Sequence, residues 1–250
     1  GNFLGVRLRQ RDTVAILTAQ TLGLALAEEL RRGDVPVVFL DSNPAGIRRA
    51  EEAGFSVVYG DALQENIMQR ARFGFARTVI ALTTNRTLNS VFVGRAKDRF
   101  GVPNGLVATS DAGGGLVLEQ LGSGQAKIAF DAPHDVERWD VRGRRGDVEV
   151  FHFVYETPER EEEDPETTSS VESTGNSERS VLLAVEREGR IFAVDSAWSF
   201  LDGDRVAAAI HLPEREDAFR ELATQGWVTA PLDEAPGEEA IGAKGAVAHA

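Results

Sequence analysis

The stretch TVAILTAQTLGLALAEEL, Thr13 to Leu30, decides the fold. A β-branched strand, VAIL at Val14–Leu17, passes through a short turn into a helix whose Leu22, Ala25, Leu26 and Leu30 share one face. Strand, turn and amphipathic helix in this order is the layout of the dinucleotide motif G-x-G-x-x-G. Its glycines allow a tight turn, close approach of a pyrophosphate, and close packing of helix on strand. Here Thr18 and Gln20 stand at the first two glycine positions and only the third, Gly23, is glycine. The scaffold is expected; whether it still holds a phosphate is the open question.

Outward from this stretch the chain alternates strand with helix. Gly33 stops the first helix, and VPVVFL at Val35–Leu40 is an apolar run suited to a strand buried on both faces. Ser42 reads as an N-cap and Pro44 as a first-turn residue of a second helix that Gly54 ends. SVVY at Ser56–Tyr59 is the third strand, and a helix follows Gly60-Asp61-Ala62. TVIALT at Thr78–Thr83 is the fourth, followed by a helix from about Asn85 to Phe100 with Gly101 as its C-cap. GLVAT at Gly105–Thr109 and KIAF at Lys127–Phe130 complete six strands, with a short helix around Leu116–Leu121 between them. This alternation predicts an α/β fold: a Rossmann-like, doubly wound parallel sheet over 13–132.

The pattern then changes. HDVERWDVR predicts a crossover helix, and 133–147 a helix and hinge. VEVFHFVY at Val148–Tyr155 alternates with period two, VLLAVEREGRIFAVD forms two strands about a Glu188-Gly189 turn, and LDGDRVAAAI adds a strand. EDAFRELATQG closes with a helix, so 148–230 is expected to be a smaller α+β subdomain. The acidic insertion 157–179 has no aromatic residue and almost nothing apolar, which predicts a disordered loop; its run Glu161–Asp164 reads as a solvated charge cluster rather than a cation site. Residues 231–250 read as a flexible tail, and 1–12 as a connector.

Composition narrows the function classes. A formal net charge of -13 over 250 residues argues against a nucleic-acid partner. The absence of cysteine excludes disulfides and thiolate metal sites. The 4 histidines show no i, i+3 or i+4 pairing, so no metal site is expected. No window approaches the roughly 20 apolar residues of a membrane helix, and no signal peptide is evident. Gly1 reads as an appended residue, and Asn2 as the point where a longer natural protein was cut.

Four features fall at the carboxyl ends of the first four strands, where open α/β sheets bind ligands. The first is the turn Thr18, Ala19, Gln20, Thr21, Leu22 and Gly23, opening a helix whose amides attract a phosphate. The second is Asp41 with Ser42, placed for a ribose diol; the third is Asp61 with Ala62, within reach of an adenine amino group. The fourth is Thr83, Thr84, Asn85 and Arg86, polar groups and one cation beside the phosphates. Each also has a purely structural reading: Gly23 as a packing glycine, and Asp41 with Ser42, Asp61, and Thr84 or Asn85 as helix caps.

Taken together, the strand-Asp of Asp41, VVYGDA, and VIALTTNRTLN ending at Asn89 resemble the regulator-of-potassium-conductance (RCK) family. Arg187-Glu188-Gly189 and Leu201-Asp202-Gly203-Asp204-Arg205-Val206 are similar to the R-x-G and L-x-x-GD-x-V patterns of that family's C-terminal subdomain. The resemblance runs from about Thr13 to Trp227, and NFLGVRLRQRD resembles the connector that follows the last membrane helix in antiporter members. It implies a non-enzymatic regulatory domain of a sodium or potassium/proton antiporter or potassium transport system, at the cytoplasmic face of the membrane. It also implies an adenine nucleotide ligand (AMP, ATP or NAD/NADH) and a homodimer, often formed through the crossover helix near His134–Arg142. Two departures matter. Gln20 hinders NAD in its usual pose, leaving either AMP, held by Asp41, Asp61 and the Gln20 amide, or an empty dimerisation module. The acidic insertion replaces a shorter connection. The competing readings are an NAD(P)-dependent oxidoreductase and a free-standing subunit that docks on a separate channel.

Overall fold

The computed structural model describes residues 12–110, 126–157 and 178–230. The expected connector, the short helix near Leu116–Leu121, most of the acidic insertion and the tail lie outside the described residues.

The first half alternates β1 (Thr13–Leu17), α1 (Thr21–Arg32), β2 (Val37–Asp41), α2 (Pro44–Glu52), β3 (Ser56–Tyr59), α3 (Glu65–Arg70), β4 (Ala76–Ala81), α4 (Arg86–Phe100), β5 (Asn104–Val107) and β6 (Lys127–Ile128). These strands form one parallel sheet in the order β3-β2-β1-β4-β5-β6. The order reverses direction between β1 and β4, which places the ligand crevice of a doubly wound sheet outside the carboxyl ends of those two strands. β1 is buried on both faces, with Ile16 turned toward α1 and Ala15 toward the α3–α4 side.

The second half contains α5 (Val136–Arg144), β7 (Val148–Tyr155), β8 (Ser180–Arg187), β9 (Arg190–Ala193), β10 (Arg205–His211), α6 (Arg215–Thr224) and β11 (Trp227–Ala230). Its strands form an antiparallel sheet, β11-β7-β10-β8-β9. Glu188 and Gly189 both have positive φ (54° and 69°), which gives the β8–β9 hairpin the tight turn expected from its Glu-Gly pair. The two resembling motifs of this half touch: the Arg187 guanidinium donates Nε to Asp204 Oδ1 at 2.8 Å and Nη2 to Oδ2, a bidentate pair that ties β8 to the turn before β10.

One core joins the two sheets. Leu22, Leu26, Ala27 and Leu30 of α1 pack between Ile16 and Phe39 of the parallel sheet and Val181, Leu183, Ala207 and Ala209 of the antiparallel one. The other face of the antiparallel sheet is closed by α6 through Ala218 and Leu222, beside an aromatic group in which Trp227 meets Tyr155 and Phe200.

Several boundaries differ from the sequence reading. Ser42 is not the cap of α2; Asn43 is, its Oδ1 accepting from Ala45 N at 2.9 Å, because the Asp41 carboxylate has already turned the chain by accepting from Asn43 N. Val35 is not in β2, since its N–H returns to Leu30 O to close the end of α1. Asp61 does not cap α3, whose N-cap residue is Gln64; the Asp61 Oδ1 accepts from Leu63 N in a local turn. Asn85 caps α4 as read, through Leu88 N. β11 was not foreseen: WVTA is a short edge strand that follows Gly226, whose φ of 90° turns the chain into pairing with β7.

Candidate functional site

The β1–α1 turn keeps the backbone shape of a glycine turn without its glycines. Thr18 sits at φ 74°, in the left-handed region that costs a β-branched residue on the order of 1–2 kcal/mol. Two contacts hold it there: its N–H donates to Leu40 O at 2.8 Å, and its hydroxyl to Asp41 Oδ2 at 3.3 Å. Gly23 has the packing role of the third glycine, since a Cβ would lie 3.2 Å from Thr18 O and 3.3 Å from Leu82 Cδ1.

Asp41 lies at the carboxyl end of β2, but its carboxylate is 5% exposed and faces inward. It accepts from Ala19 N at 3.0 Å and Asn43 N at 2.8 Å, besides Thr18. Gly46 permits this, because a Cβ there would stand 2.2 Å from Asp41 Oδ2. In this arrangement Asp41 braces the turn.

The N-terminus of α1 holds an anion supplied by the chain itself. Asp140 of α5, 6% exposed, accepts from both the N–H and the hydroxyl of Thr21, each at 3.2 Å. Arg49 Nη1 reaches the same oxygen at 3.0 Å, and Arg144 Nε reaches Oδ2 at 3.3 Å. A carboxylate therefore occupies the place where the amides and dipole of a helix start attract a phosphate. Gly143 makes the approach of α5 feasible, since a Cβ there would lie 2.1 Å from Thr21 Oγ1.

Beside this contact lies a cavity of about 320 Å³, lined by Thr18, Gln20 and Asp41, by Arg48, Arg49 and Glu52 of α2, and by Asp140 and Arg144. Gln20 is the N-cap residue of α1 but makes no capping bond; its Oε1 is buried with no partner, as is Arg49 Nε. The volume is at the lower end of ligand pockets, roughly 300–1,000 Å³. The donors around it, an amide, a hydroxyl and guanidinium groups, are of the kind that hold an anion.

The other predicted residues lie at the same sheet edge but outside this cavity. Asp61 is exposed and Ala62 buried, after Gly60, whose φ of 146° and closeness to Ile67 demand glycine. Thr83 is engaged by Asn89, which is fully buried: Asn89 Oδ1 accepts from Thr83 N at 3.1 Å and from its hydroxyl at 2.6 Å, and Nδ2 donates to Thr83 O and Ala108 O. Asn89 thus staples the ends of β4 and β5 together. Thr84, Asn85 and Arg86 are exposed. A larger cleft, about 710 Å³, lies away from these residues, between the amino end of the parallel sheet and the β8–β9 hairpin, near Arg77, Arg190, Phe192 and Trp198. Among the described residues no cluster of His, Asp and Glu suits a metal ion, and no helix is long and apolar enough to cross a membrane.

Asp140, Gly143 and Arg144 escaped the sequence reading, as did Arg49 across the cleft. The signal was present: an aspartate among arginines, with a glycine inside a helix, marks a close approach of α5 to something.

Fold and site together define a Rossmann-like domain with an anion receptor at its switch point, joined to a small antiparallel subdomain. Residues 14–128 match the TrkA-N domain family. No curated protein matches the chain. Among solved structures, the TrkA-N domain of the inner membrane protein YbaL from Escherichia coli is 19% identical over 56% of this chain and 98% of its own, with a TM-score of 0.43. A GsuK channel bound to NAD is 15% identical over 83% of this chain and 40% of its own, with a TM-score of 0.42. The GsuK RCK domain is 16% identical over 85% of this chain and 46% of its own, at 0.39. The chain thus spans less than half the length of these two GsuK chains, and likenesses this distant carry no argument about function.

Proposed function

We propose that the chain is the regulatory part of a monovalent cation transport system, a sodium or potassium/proton antiporter or a potassium transporter. It acts as a homodimer at the cytoplasmic face of the membrane, where ligand occupancy of its TrkA-N domain biases a transmembrane region. The observation that carries this reading is the receptor at the start of α1, where Thr21, Arg49 and Arg144 converge on one anion in a turn that keeps its glycine-like shape.

An adenine mononucleotide suits the site better than a dinucleotide. NAD is bound in one of the GsuK structures, yet here Gln20 and Asp140 crowd the place of a diphosphate. Binding is read here without turnover, because the polar groups at this edge brace one another and the turn. The test is a thermal-shift screen of AMP, ADP, ATP, NAD and NADH. AMP is expected to raise the melting temperature; at a hundredfold excess over Kd, binding to the native state adds about 2.7 kcal/mol. No shift with any of the five overturns the reading, and a shift with NAD larger than with AMP overturns the choice of ligand.

A further inference from the structure

We propose that Asp140 is a latch that stands in for the ligand's phosphate, so that binding expels it and releases α5 from α1. This rests on the reading of the α1 N-terminus as a nucleotide site and adds its regulation. The same donors cannot serve two anions: Thr21 N, Thr21 Oγ1 and Arg49 Nη1 all converge on Asp140 Oδ1. A phosphate placed on them would meet a carboxylate at hydrogen-bond distance, and like charges that close exclude one another.

The groups left unsatisfied point the same way. Gln20 Oε1 and Arg49 Nε are buried at the latch without partners, so the closed state does not use every polar group around the cavity. Arg48 lines the same cavity and makes no ion pair among the described residues. Expelling Asp140 leaves a dianionic phosphate Thr21 together with Arg48 and Arg49 of α2, while Arg144 departs with α5.

Release has a direct route outward. α5 leads into β7, the second strand of the antiparallel sheet, and Arg142 of α5 approaches Glu214 at 3.8 Å. Burial and the nearby Arg138 lower the affinity of Arg142 for its proton, while Glu214 and Asp135 pull the other way. Trp139 of α5 is buried in the core shared with α1, with the Arg142 guanidinium 5.1 Å over its ring. Because latch and ligand exclude one another, weakening the latch raises the competent fraction and strengthens apparent ligand binding, by at most the factor lost from the closed:open ratio.

Two variants open the latch by different physics. Asp140→Asn removes the charge; Gly143→Ala keeps it but places a Cβ 2.1 Å from Thr21 Oγ1 and 2.7 Å from Thr21 Cβ, which no Thr21 rotamer relieves. Calorimetric titration with AMP and with inorganic phosphate is expected to show both variants binding about 5–150-fold more tightly than the parent, the usual span of allosteric coupling. Adenosine, lacking phosphate, gains nothing from either variant. Amide exchange in 136–144 is expected to speed up when AMP binds the parent, and to be fast without ligand in Gly143→Ala. If Asp140→Asn does not fold, Gly143→Ala and exchange in the parent decide. Equal AMP affinity in parent and variants, or slower exchange in α5 on binding, overturns the latch while the nucleotide reading stands. If neither AMP nor phosphate binds any of the three proteins, the nucleotide reading falls and the latch with it.

Discussion

The two ends of α1 are both held by the second half of the chain, but by different means. At the N-terminus the contact is polar, crosses a cavity, and uses donors that a ligand anion would also seek. Toward the C-terminus it is a packed seam. Leu26 and Leu30 meet the antiparallel sheet, Gly33 admits the Ile191 side chain where a Cβ would be 2.9 Å away, and Glu29 faces His152 at 3.0 Å. Under the latch proposal, the contrast is between a fixed end and a releasable end of one helix.

The fixed end gives the largest expected effect. Leu183→Ala, in the core shared by both sheets, is expected to cost about 3 kcal/mol, within the 2–5 kcal/mol common for such truncations. Urea unfolding followed by separate probes of the two sheets should still give coincident transitions; two separated transitions would break the idea of a common seam.

Next comes Glu29. Burial raises its carboxyl pKa, but the hydrogen bond and charge of His152, together with Arg32, outweigh burial and hold it below the ordinary 4.5. A carboxyl depressed in the folded state stabilises fully above its unfolded pKa, and this contribution is lost as pH falls through the lower folded value. Glu29→Gln is therefore expected to lose about 2 kcal/mol near neutral pH, as for hydrogen bonds to charged groups. The gap to the parent should close below about pH 4. A gap unchanged at low pH would sink the ionic account of this end.

The smallest effect is at the turn. Thr18→Gly relieves left-handed strain of about 1–2 kcal/mol, but it adds unfolded-state freedom and removes the hydroxyl bond to Asp41. Chemical denaturation should find it within about 0.5 kcal/mol of the parent, whereas a loss above 2 kcal/mol would show that Thr18 is unstrained.

What the sequence revealed follows the range of the forces involved. The parallel sheet was legible because each strand, turn and helix declares itself within a dozen residues, from the β-branched run before Thr18 to Gly101 after α4. Asp41 could be placed at a strand end, but not oriented, because its inward turn depends on the missing Cβ of Gly46. Arg187 and Asp204 stood in two separate motifs, and only the fold shows that they are partners. Asp140 was out of reach for the same reason. It lies 119 residues from Thr21, and the sequence marks it only as one of two acids, with Glu137, in a helix that also carries three arginines.

The central claim, that the start of α1 is a phosphate receptor closed by Asp140, is tested most directly by calorimetric titration of AMP into the parent and Asp140→Asn side by side. The account predicts saturable binding to both, tighter in the variant. Absence of saturable binding to either protein, or binding to the variant no tighter than to the parent, would contradict it.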